Sequence, residues 1–501
     1  MKLSFTSDPV EELKSECIAL GVFQEEPLAH EARKIDTELN GAISSLTRNK
    51  EFKAELNETY LFPSMGKIGA KRVLLIGLGK KQDFSFDITR QASASAIQAV
   101  KRANLNSYTS LVFGAGVKGP TTDLVQAMSE GAVLGVYAFD TFKTAEKEKP
   151  KQVESLEIFY ADKKEIPKLK ESAQAGQTLA EIVNYHRELA NLPANIATPT
   201  YIANESEKLG KKYGFKVTVY DKIGIQKLGL NGLLAVNSGS AQEPRFVVLE
   251  YKSKSISGAP ICLVGKTITF DSGGLNIKTA DYMQNMKFDK CGGISVLGAI
   301  CAAAALKLSA HLIGLIPATE NMPSGSAYKV GDIIKTWGGK TIEIGNTDAE
   351  GRVELSDVLA YTKEFKPKAI IDLATLTGAC VVALGVQAAG LMGNDARFST
   401  RIKDAAESSG ERVWELPMYD EYSEQIKSEV ADVKNIGDGN AGAITAAKFL
   451  QKFIPEGVPW AHLDIAGVAW TDKGKYRPYV GKGATGYGIR LLIELFKNWR
   501  G

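Results

Sequence analysis

The segment 346–352, Asn-Thr-Asp-Ala-Glu-Gly-Arg, constrains the fold of this 501-residue chain more than any other segment. Residues 341–344 before it have a strand-like pattern, and 353–365 after it have the apolar spacing of a helix. Its two carboxylates therefore stand at a strand-to-helix turn. In open α/β sheets, ligands bind outside the carboxyl ends of the strands, where such turns lie. An acid in such a turn can also cap a helix, so the motif alone leaves a structural role open.

Two further strand predictions end in polar or glycine-rich segments. Residues 261–264 run into Gly-Lys-Thr-Ile-Thr-Phe-Asp-Ser-Gly-Gly at 265–274, and residues 369–373 run into Ala-Thr-Leu-Thr-Gly at 374–378. Such strand ends can face one crevice, where charged residues would converge: Asp271, Asp289, Asp348, Glu350, Lys266, Lys278 and Arg352. Carboxylates at close range repel one another, and divalent cations offset that repulsion. The pattern therefore predicts a metal site, of which two ions roughly 3.5–4 Å apart are a known hydrolytic form.

Taken together and in this order, several motifs resemble the leucine (cytosol) aminopeptidase family. The resemblance covers roughly residues 186–497, whereas the first 165 or so match only in general layout. It is carried by the segments 265–274, 286–289 (Met-Lys-Phe-Asp), 321–328 (Asn-Met-Pro-Ser-Gly-Ser-Ala-Tyr), 346–352, 374–379, 462–467 and 483–488.

The resemblance implies two divalent ions per subunit, zinc or manganese with magnesium as an alternative. Asp271 and Glu350 would bridge the ions, and Asp348 with a backbone carbonyl would complete the more exchangeable site. Lys266 and Asp289 would complete the tighter one. A lysine ligand must be neutral, and burial beside dications could lower its pKa that far. From the residues alone, Lys266 could equally pair with the acids.

The resemblance also implies a peptide substrate with a free N-terminus, whose α-amine binds one ion while an activated water attacks the scissile carbonyl. Lys278 would stabilise the oxyanion, assisted by the Leu376 N–H. No spare histidine or glutamate stands out as a general base. Instead Arg352 would hold a bicarbonate ion that carries the proton, and a guanidinium near a helix N-terminus suits a small anion.

The resemblance implies an apolar pocket of moderate selectivity for the N-terminal side chain, with leucine preferred. Each of its residues could also be ordinary core. With Leu376, the predicted substrate-binding residues are Met286, Thr375, Gly378 and Ala466.

One residue departs from the family pattern. Lys290 follows Asp289, where the family usually has methionine. A cation that points toward the acid would weaken metal binding, whereas one that points away would leave the site intact. The next residue, Cys291, could be a soft ligand or a nucleophile, although a structural thiol is the favoured interpretation.

Composition excludes several function classes. The net charge is +3, from 61 basic and 58 acidic residues, which gives no reason to expect nucleic acid or a membrane surface as partner. The start lacks an apolar signal segment, so a cytoplasmic location is expected. The most apolar helix prediction, 294–306, is too short to span a bilayer and predicts a buried helix. Five cysteines without regular spacing indicate reduced thiols.

The four histidines, at 30, 186, 311 and 462, lie outside the carboxylate motifs. Their positions argue against a Ser-His-Asp or Cys-His hydrolase and against a histidine-rich zinc site.

The predicted fold class is α/β, with an N-terminal α/β domain joined by a long helix to a C-terminal catalytic α/β domain. The catalytic sheet is expected to be mixed, mostly parallel and covered by helices. The predicted boundaries are 1–165, 166–192 for the linking helix, and 193–501. The family resemblance implies a homohexamer with sites facing an interior cavity, so the first domain is expected to serve assembly or access.

Two other functions stay open at this point. Residues 114–119 fit Gly-x-Gly-x-x-Gly after a strand and before a helix, which is typical of dinucleotide sites in NAD-linked oxidoreductases. Pro120 interrupts that turn, and the next predicted strand lacks the acid such sites carry, so a tight turn is favoured. The second alternative is a non-catalytic assembly or binding protein that keeps the fold.

Overall fold

The chain forms two α/β units, which confirms the predicted fold class. The computed structural model describes residues 1–144, 152–256, 258–472 and 477–499. The described residues up to Asn184, together with 477–482, form the first unit, and those of 185–472 and 483–499 form the second. The boundary between the two units falls inside one helix, Ile166–Asn191. The sequence pattern predicts this helix as the link between the two domains. The predicted boundaries at 165 and 193 stay a prediction.

The first unit is built on a six-stranded sheet in the order β1-β6-β5-β2-β4-β3. Its strands are β1 (Lys2–Thr6), β2 (Ile18–Val22), β3 (Thr59–Pro63), β4 (Arg72–Gly77), β5 (Ser107–Leu111) and β6 (Ser155–Phe159). Its helices are α1 (His30–Glu38), α2 (Ala42–Arg48), α3 (Phe86–Arg102), α4 (Thr121–Leu134) and the start of α5 (Ile166–Asn191), with a 3₁₀ turn at Lys81–Asp83. Only the edge pairing of β3 with β4 is antiparallel among these strands.

Both faces of this sheet are covered. Along β4, Leu74 and Ile76 belong to one core cluster, while Val73 and Leu75 belong to another. Because successive side chains of a strand point to opposite faces, the two clusters lie on opposite sides of the sheet. A continuous apolar run such as this is typical of a parallel strand buried on both faces.

The glycines of residues 114–119 have a structural explanation. Gly114, Gly116 and Gly119 all adopt positive φ angles, of 77°, 78° and 66°. A Cβ on Gly114 would lie 1.8 Å from the Phe84 ring, and one on Gly119 would lie 2.5 Å from the Phe86 ring. Left-handed backbone and ring packing thus account for these glycines without a nucleotide, in agreement with the tight-turn interpretation.

A short segment from the C-terminal part of the sequence packs within the first unit. The Tyr479 hydroxyl donates to Asp87 Oδ1 at 2.6 Å. The side-chain amide of Gln98 donates to the Pro478 carbonyl, also at 2.6 Å. Nothing in the local sequence of 477–482 indicates this placement, because it depends on partners almost 400 positions away in the chain.

The second unit contains a nine-stranded sheet and two small sheets. Its helices are α6 (Pro199–Tyr213), α7 (Lys222–Leu228), α8 (Asn231–Asn237), α9 (Ala280–Met283), α10 (Cys291–Ala305), α11 (Glu350–Tyr361), α12 (Gly378–Leu384), α13 (Ala396–Ser409), α14 (Gly442–Gln451) and α15 (Ile489–Lys497). Short 3₁₀ helices cover Met286–Lys290, Thr362–Phe365 and Asp420–Ile426.

The strands of the second unit follow the order β16-β15-β18-β14-β9-β11-β8-β7, with β10 also paired to β11. The main sheet comprises β7 (Lys216–Tyr220), β8 (Arg245–Lys252), β9 (Ile261–Gly265), β10 (Thr267–Asp271), β11 (His311–Asn321), β14 (Ala369–Ala374), β15 (Ala389–Gly393), β16 (Val413–Glu415) and β18 (Trp460–Asp464). The small sheets comprise β12 (Ile333–Lys335), β13 (Thr341–Glu343) and β17 (Val433–Lys434), and β19 (Trp470–Thr471) and β20 (Gly483–Ala484). Five of the eight pairings in the main sheet are parallel, as predicted.

Two local predictions differ from the structure. Residues 267–271, which the sequence indicates only as part of a polar or glycine-rich segment after a strand, form β10, which pairs with β11 so that Asp271 faces Asn321. The strand before the carboxylate turn, β13, lies in a small sheet with β12 and β17 and not in the main sheet. The strand β11, which pairs with β10, and the strand β17, which pairs with β13, are distant in sequence, so local pattern could not assign these pairings.

The apolar helix α10 is a core element. The stretch Met286–Ala305 is long and apolar enough to cross a membrane by composition, yet 94% of its most apolar window is buried inside the protein. This burial fits the predicted buried helix at 294–306. All five cysteines are free and buried, as the prediction of reduced thiols requires.

Candidate metal centre

The strands β9, β10 and β14 place Lys266 and Asp271 at one edge of the main sheet. Lys266 stands between β9 and β10, and its N–H donates to the Leu373 carbonyl of β14 at 3.0 Å. Asp271 ends β10 beside Asn321, which ends β11. Because β9, β11 and β14 run parallel, their carboxyl ends meet at this edge.

One group of contacts centres on the Lys266 ammonium, which is 3% exposed. Its Nζ lies 2.8 Å from Asp289 Oδ2 and 2.8 Å from Glu350 Oε1. It also donates to the Thr375 carbonyl at 3.0 Å. The Thr375 hydroxyl donates to Asp289 Oδ1 at 2.7 Å. The structure therefore brings together three predicted ligands, Lys266, Asp289 and Glu350.

A second group centres on Lys278. Its Nζ lies 2.9 Å from Asp271 Oδ2 and forms an ion pair with Asp348. One oxygen each of Asp271, Asp348 and Glu350 lie within 4.8 Å of one another, which joins the two groups. All five predicted metal ligands, together with Lys278, thus form one continuous cluster.

Glycine is required where the backbone passes closest to these side chains. Gly273 has a φ of 89°, and a Cβ there would lie 2.9 Å from Asp348 Oδ1. A Cβ on Gly351, in the first turn of α11, would lie 2.3 Å from Cε of Lys266. Lys266 can therefore cross this helix start only because residue 351 has no side chain.

We expect Gly351→Ala to destabilise the second unit, because its methyl group must displace the buried Lys266 side chain from its carboxylate partners. Overpacking of this kind costs about 1–3 kcal/mol. Urea unfolding measures the change. Gly325→Ala is the matched control, since a Cβ at Gly325 meets no atom within 4 Å. Equal unfolding midpoints for the two variants would contradict the expectation.

The electrostatics of the cluster indicate that its acids compete for positive charge. Burial and the Glu350 carboxylate raise the pKa of Asp271 to about 6, against the opposing effect of Lys278. Burial raises the pKa of Asp289 to about 8, although Lys266 opposes it. Burial also opposes ionisation of Glu350, but Lys266 and Lys278 hold its pKa below the ordinary value. The two lysines alone therefore leave the acids short of cationic partners.

The residues fit divalent metal ions. Glu350 Oε2 is buried, and within the described part of the chain it has no hydrogen-bond partner. A carboxylate oxygen without a partner is costly in a buried site, and a metal ion would supply one. Four clustered carboxylates are the oxygen donors that Mg²⁺ and Mn²⁺ prefer, and zinc also accepts them.

Arg352 lies in the first turn of α11, within the helix and not in the loop before it. The side chain is 8% exposed, and its Nη1 donates to the Asn435 carbonyl at 2.8 Å. Its Nε is buried and, among the residues described, without a hydrogen-bond partner. Burial lowers the pKa of Arg352 to about 10, so the group stays a cation at neutral pH. A buried guanidinium with a free N–H at a helix start can bind a small anion.

Lys290 points away from the acids. Its ammonium donates to two backbone carbonyls, Leu192 at 3.0 Å and Lys287 at 2.5 Å. Burial lowers the pKa of Lys290 to about 7. Of the two orientations that the sequence left open, the structure has the one that leaves the carboxylates free.

The five predicted substrate-binding residues lie in the second unit: Thr375 and Leu376 follow β14, Ala466 follows β18, Gly378 begins α12, and Met286 begins a 3₁₀ helix. The structure links them only in part: Asp464 Oδ1 accepts from the backbone N–H of Leu376 at 3.3 Å and of Ala466 at 3.2 Å. The Leu376 N–H, predicted to assist at the oxyanion, is thus bound to Asp464 and is not free for that role in this structure. Gly378 is exposed, whereas Met286 is half-buried.

Sequence reasoning missed the residues that hold the acids in place. The buried Asn321 amide donates to Asp271 Oδ1 at 2.9 Å and to the Thr347 carbonyl at 3.0 Å. The Tyr328 hydroxyl donates to the same carbonyl at 2.7 Å. The Asn435 amide donates to the Asn346 carbonyl at 2.7 Å. Asn321 could have been singled out in the sequence as a candidate site residue, because it is a polar residue at the end of an apolar strand.

Fold and site together define an α/β enzyme whose buried acids are arranged for divalent cations. Family comparisons agree with this class. The catalytic-domain model of the cytosol aminopeptidase family matches residues 184–493, and the N-terminal-domain model of the same family matches residues 19–146.

Individual relatives give the same result. A probable cytosol aminopeptidase of Geobacter sulfurreducens is 45% identical over 96% of each chain, and one of Aquifex aeolicus is 42% identical over 99% of this chain and 98% of the relative. Among solved structures, a mutant of tomato leucine aminopeptidase has a TM-score of 0.88 at 31% identity, covering 100% of this chain and 97% of its own. The bottromycin maturation enzyme BotP in complex with Mn has a TM-score of 0.84 at 33% identity, covering 96% and 99%.

The chain therefore belongs to the cytosol aminopeptidase family, which confirms the resemblance found in the sequence. It is a peptidase of the aminopeptidase class, and family membership supports dependence on divalent metal ions.

Proposed function

We propose that this protein removes N-terminal amino acids, preferentially apolar ones such as leucine, from peptides with the help of two divalent ions. The observation that carries the proposal is the joined carboxylate cluster. One half of this cluster contains the ion pair of Lys266 with Asp289, and the other half contains the ion pair of Lys278 with Asp348.

In this proposal Asp271 and Glu350 would hold both ions, Asp348 would complete one site, and Asp289 with Lys266 would complete the other. When bound, the ions supply an activated water and a polarised scissile carbonyl. Burial opposes the charge on Lys266, but Asp289 and Glu350 hold its pKa well above the ordinary value. Lys266 must therefore release a proton to become a ligand, and cations beside the acids would favour that release.

Lys278 and Arg352 act on the substrate side. The Lys278 ammonium would stabilise negative charge that develops on the substrate carbonyl oxygen. Arg352 would bind bicarbonate, which would supply the base for proton transfer. The free Nε of Arg352 supports this role. The Leu376 N–H could contribute only if substrate binding released it from Asp464.

Met286, Thr375, Gly378 and Ala466 would line the pocket for the N-terminal side chain. A flexible methionine beside small residues favours apolar side chains without strict shape selection. Thr375 connects this pocket to the metal cluster through its hydrogen bond to Asp289. The pocket would therefore place the scissile bond next to the ions.

We further propose manganese or zinc as the ions, a cytoplasmic location and a homohexameric assembly. Manganese is supported by the BotP relative, whose structure holds Mn. The location is supported by the family's cytosolic name. The hexamer rests on the family resemblance, with the first unit serving assembly or access.

Hydrolysis of leucyl anilide with and without a chelator tests the proposal. We expect turnover to stop after chelation and to return when Mn²⁺ or Zn²⁺ is added. N-acetyl-leucyl anilide is the matched control substrate, because acetylation removes the α-amine that would bind a metal ion. It should not be hydrolysed.

Similar rates on the acetylated and free substrates would show that the amine-binding role is wrong. If neither substrate is hydrolysed although the protein binds two ions, the proposed preference for an N-terminal leucine is wrong.

A further inference from the structure

The 3₁₀ helix Met286–Lys290 connects two parts of the site within five residues. Its first residue, Met286, belongs to the proposed pocket, and its fourth, Asp289, belongs to the metal cluster. So short a helix has few hydrogen bonds of its own. Its position therefore depends on what its side chains contact.

Lys290 makes the most unusual of these contacts. The side chain is fully buried, and its ammonium donates to the Leu192 carbonyl at 3.0 Å and to the Lys287 carbonyl at 2.5 Å. Leu192 directly follows the last residue of α5, where helical carbonyls lack intrahelical partners. An ammonium group at this end also interacts favourably with the helix dipole. Lys290 thus ties the 3₁₀ helix to the end of α5.

A second contact holds the same helix. The Phe288 ring stacks on Trp470 with centroids 5.2 Å apart and planes 8° apart. Trp470 belongs to β19, which is separate from α5 in the sequence. Phe288 and Lys290 flank Asp289, so the metal-binding carboxylate stands between two anchored neighbours.

Burial of a lysine is costly unless its charge finds strong partners. Within the described part of the chain, Lys290 forms no ion pair with a carboxylate and binds only backbone carbonyls, so packing alone would favour an apolar residue. We propose that Lys290 is a positioning residue for the metal centre. It holds Asp289 in the position where its carboxylate contacts Lys266 and Thr375. This inference rests on the proposed function, in which Asp289 binds the tighter metal ion.

Groups that orient metal ligands typically contribute 10- to 100-fold to metal affinity or activity. We therefore expect Lys290→Met to weaken Mn²⁺ binding at the tighter site by about 10- to 100-fold. The kcat should fall at limiting Mn²⁺ and recover at saturating Mn²⁺. Lys290→Gln keeps an N–H donor with a shorter reach, and its affinity should lie between those of Lys290→Met and the unsubstituted protein.

Mn²⁺ titration calorimetry on the full chain gives the affinities, and thermal unfolding in chelator reports the stability of each variant. Lys211→Met is the matched control, since Lys211 is an exposed lysine of α6. The control should bind Mn²⁺ as the unsubstituted protein does.

Unchanged Mn²⁺ affinity in both Lys290 variants, with only a lower unfolding temperature, would overturn the inference. It would also be overturned if neither variant folds, because Lys290 would then serve the fold as a whole. Failure of the unsubstituted protein to bind Mn²⁺ would instead refute the proposed function, together with this inference. The measurements therefore distinguish the two failures.

Discussion

Arg352→Ala should lower kcat by about 10²–10⁴-fold, the range typical of general acid–base catalysis, while both divalent ions stay bound. Arg352 donates to the Asn435 carbonyl, and among the residues that the structure describes it forms no hydrogen bond to a carboxylate of the metal cluster. Its loss should therefore remove the anion that carries the proton and leave the carboxylates in place.

Bicarbonate dependence provides the specific readout for Arg352. The unsubstituted protein should be stimulated by added bicarbonate, and Arg352→Ala should not respond. Arg352→Lys is the matched variant, because it keeps the charge but loses the planar fork that binds a small anion in two places. A kcat near normal in Arg352→Ala would leave Arg352 as a structural residue that ties α11 to Asn435.

Lys266→Ala and Lys278→Ala should differ in metal content, although both remove a lysine from the same cluster. Lys266 contacts Asp289 and Glu350, so its loss should lower occupancy of the tighter ion, and excess metal should partly restore activity. Lys278→Ala should keep both ions but lose about 10²–10³-fold in kcat, as expected for one oxyanion donor. Excess metal should not restore it.

Metal analysis of the two purified variants beside their kcat values decides this division of roles. Lys211→Ala controls for the loss of a positive charge, because Lys211 is exposed on α6. Equal metal loss in both cluster variants, or retention of both ions in each, would mean that the two lysines do not have separate functions.

The class of protein and most of the regular structure near the site can be predicted from the amino-acid sequence alone. Motif order and spacing were sufficient for the family, because the residues of each motif are close in the chain. The helices at 166–191 and 291–305 and the strands at 261–265 and 369–374 lie where apolar periodicity predicts them. Such periodicity is local, and burial of one face is enough to produce it.

The contacts between charged groups became known only from the three-dimensional fold. It pairs Lys266 with Asp289 and Lys278 with Asp348, and it turns Lys290 away from the acids toward Leu192. The contact between Asn321 and Asp271 could not be assigned from sequence, because the two residues are 50 positions apart and meet only through the pairing of β10 with β11. Local pattern shows which residues are apolar, whereas contacts between distant segments depend on how the strands pair and on the direction each buried side chain takes.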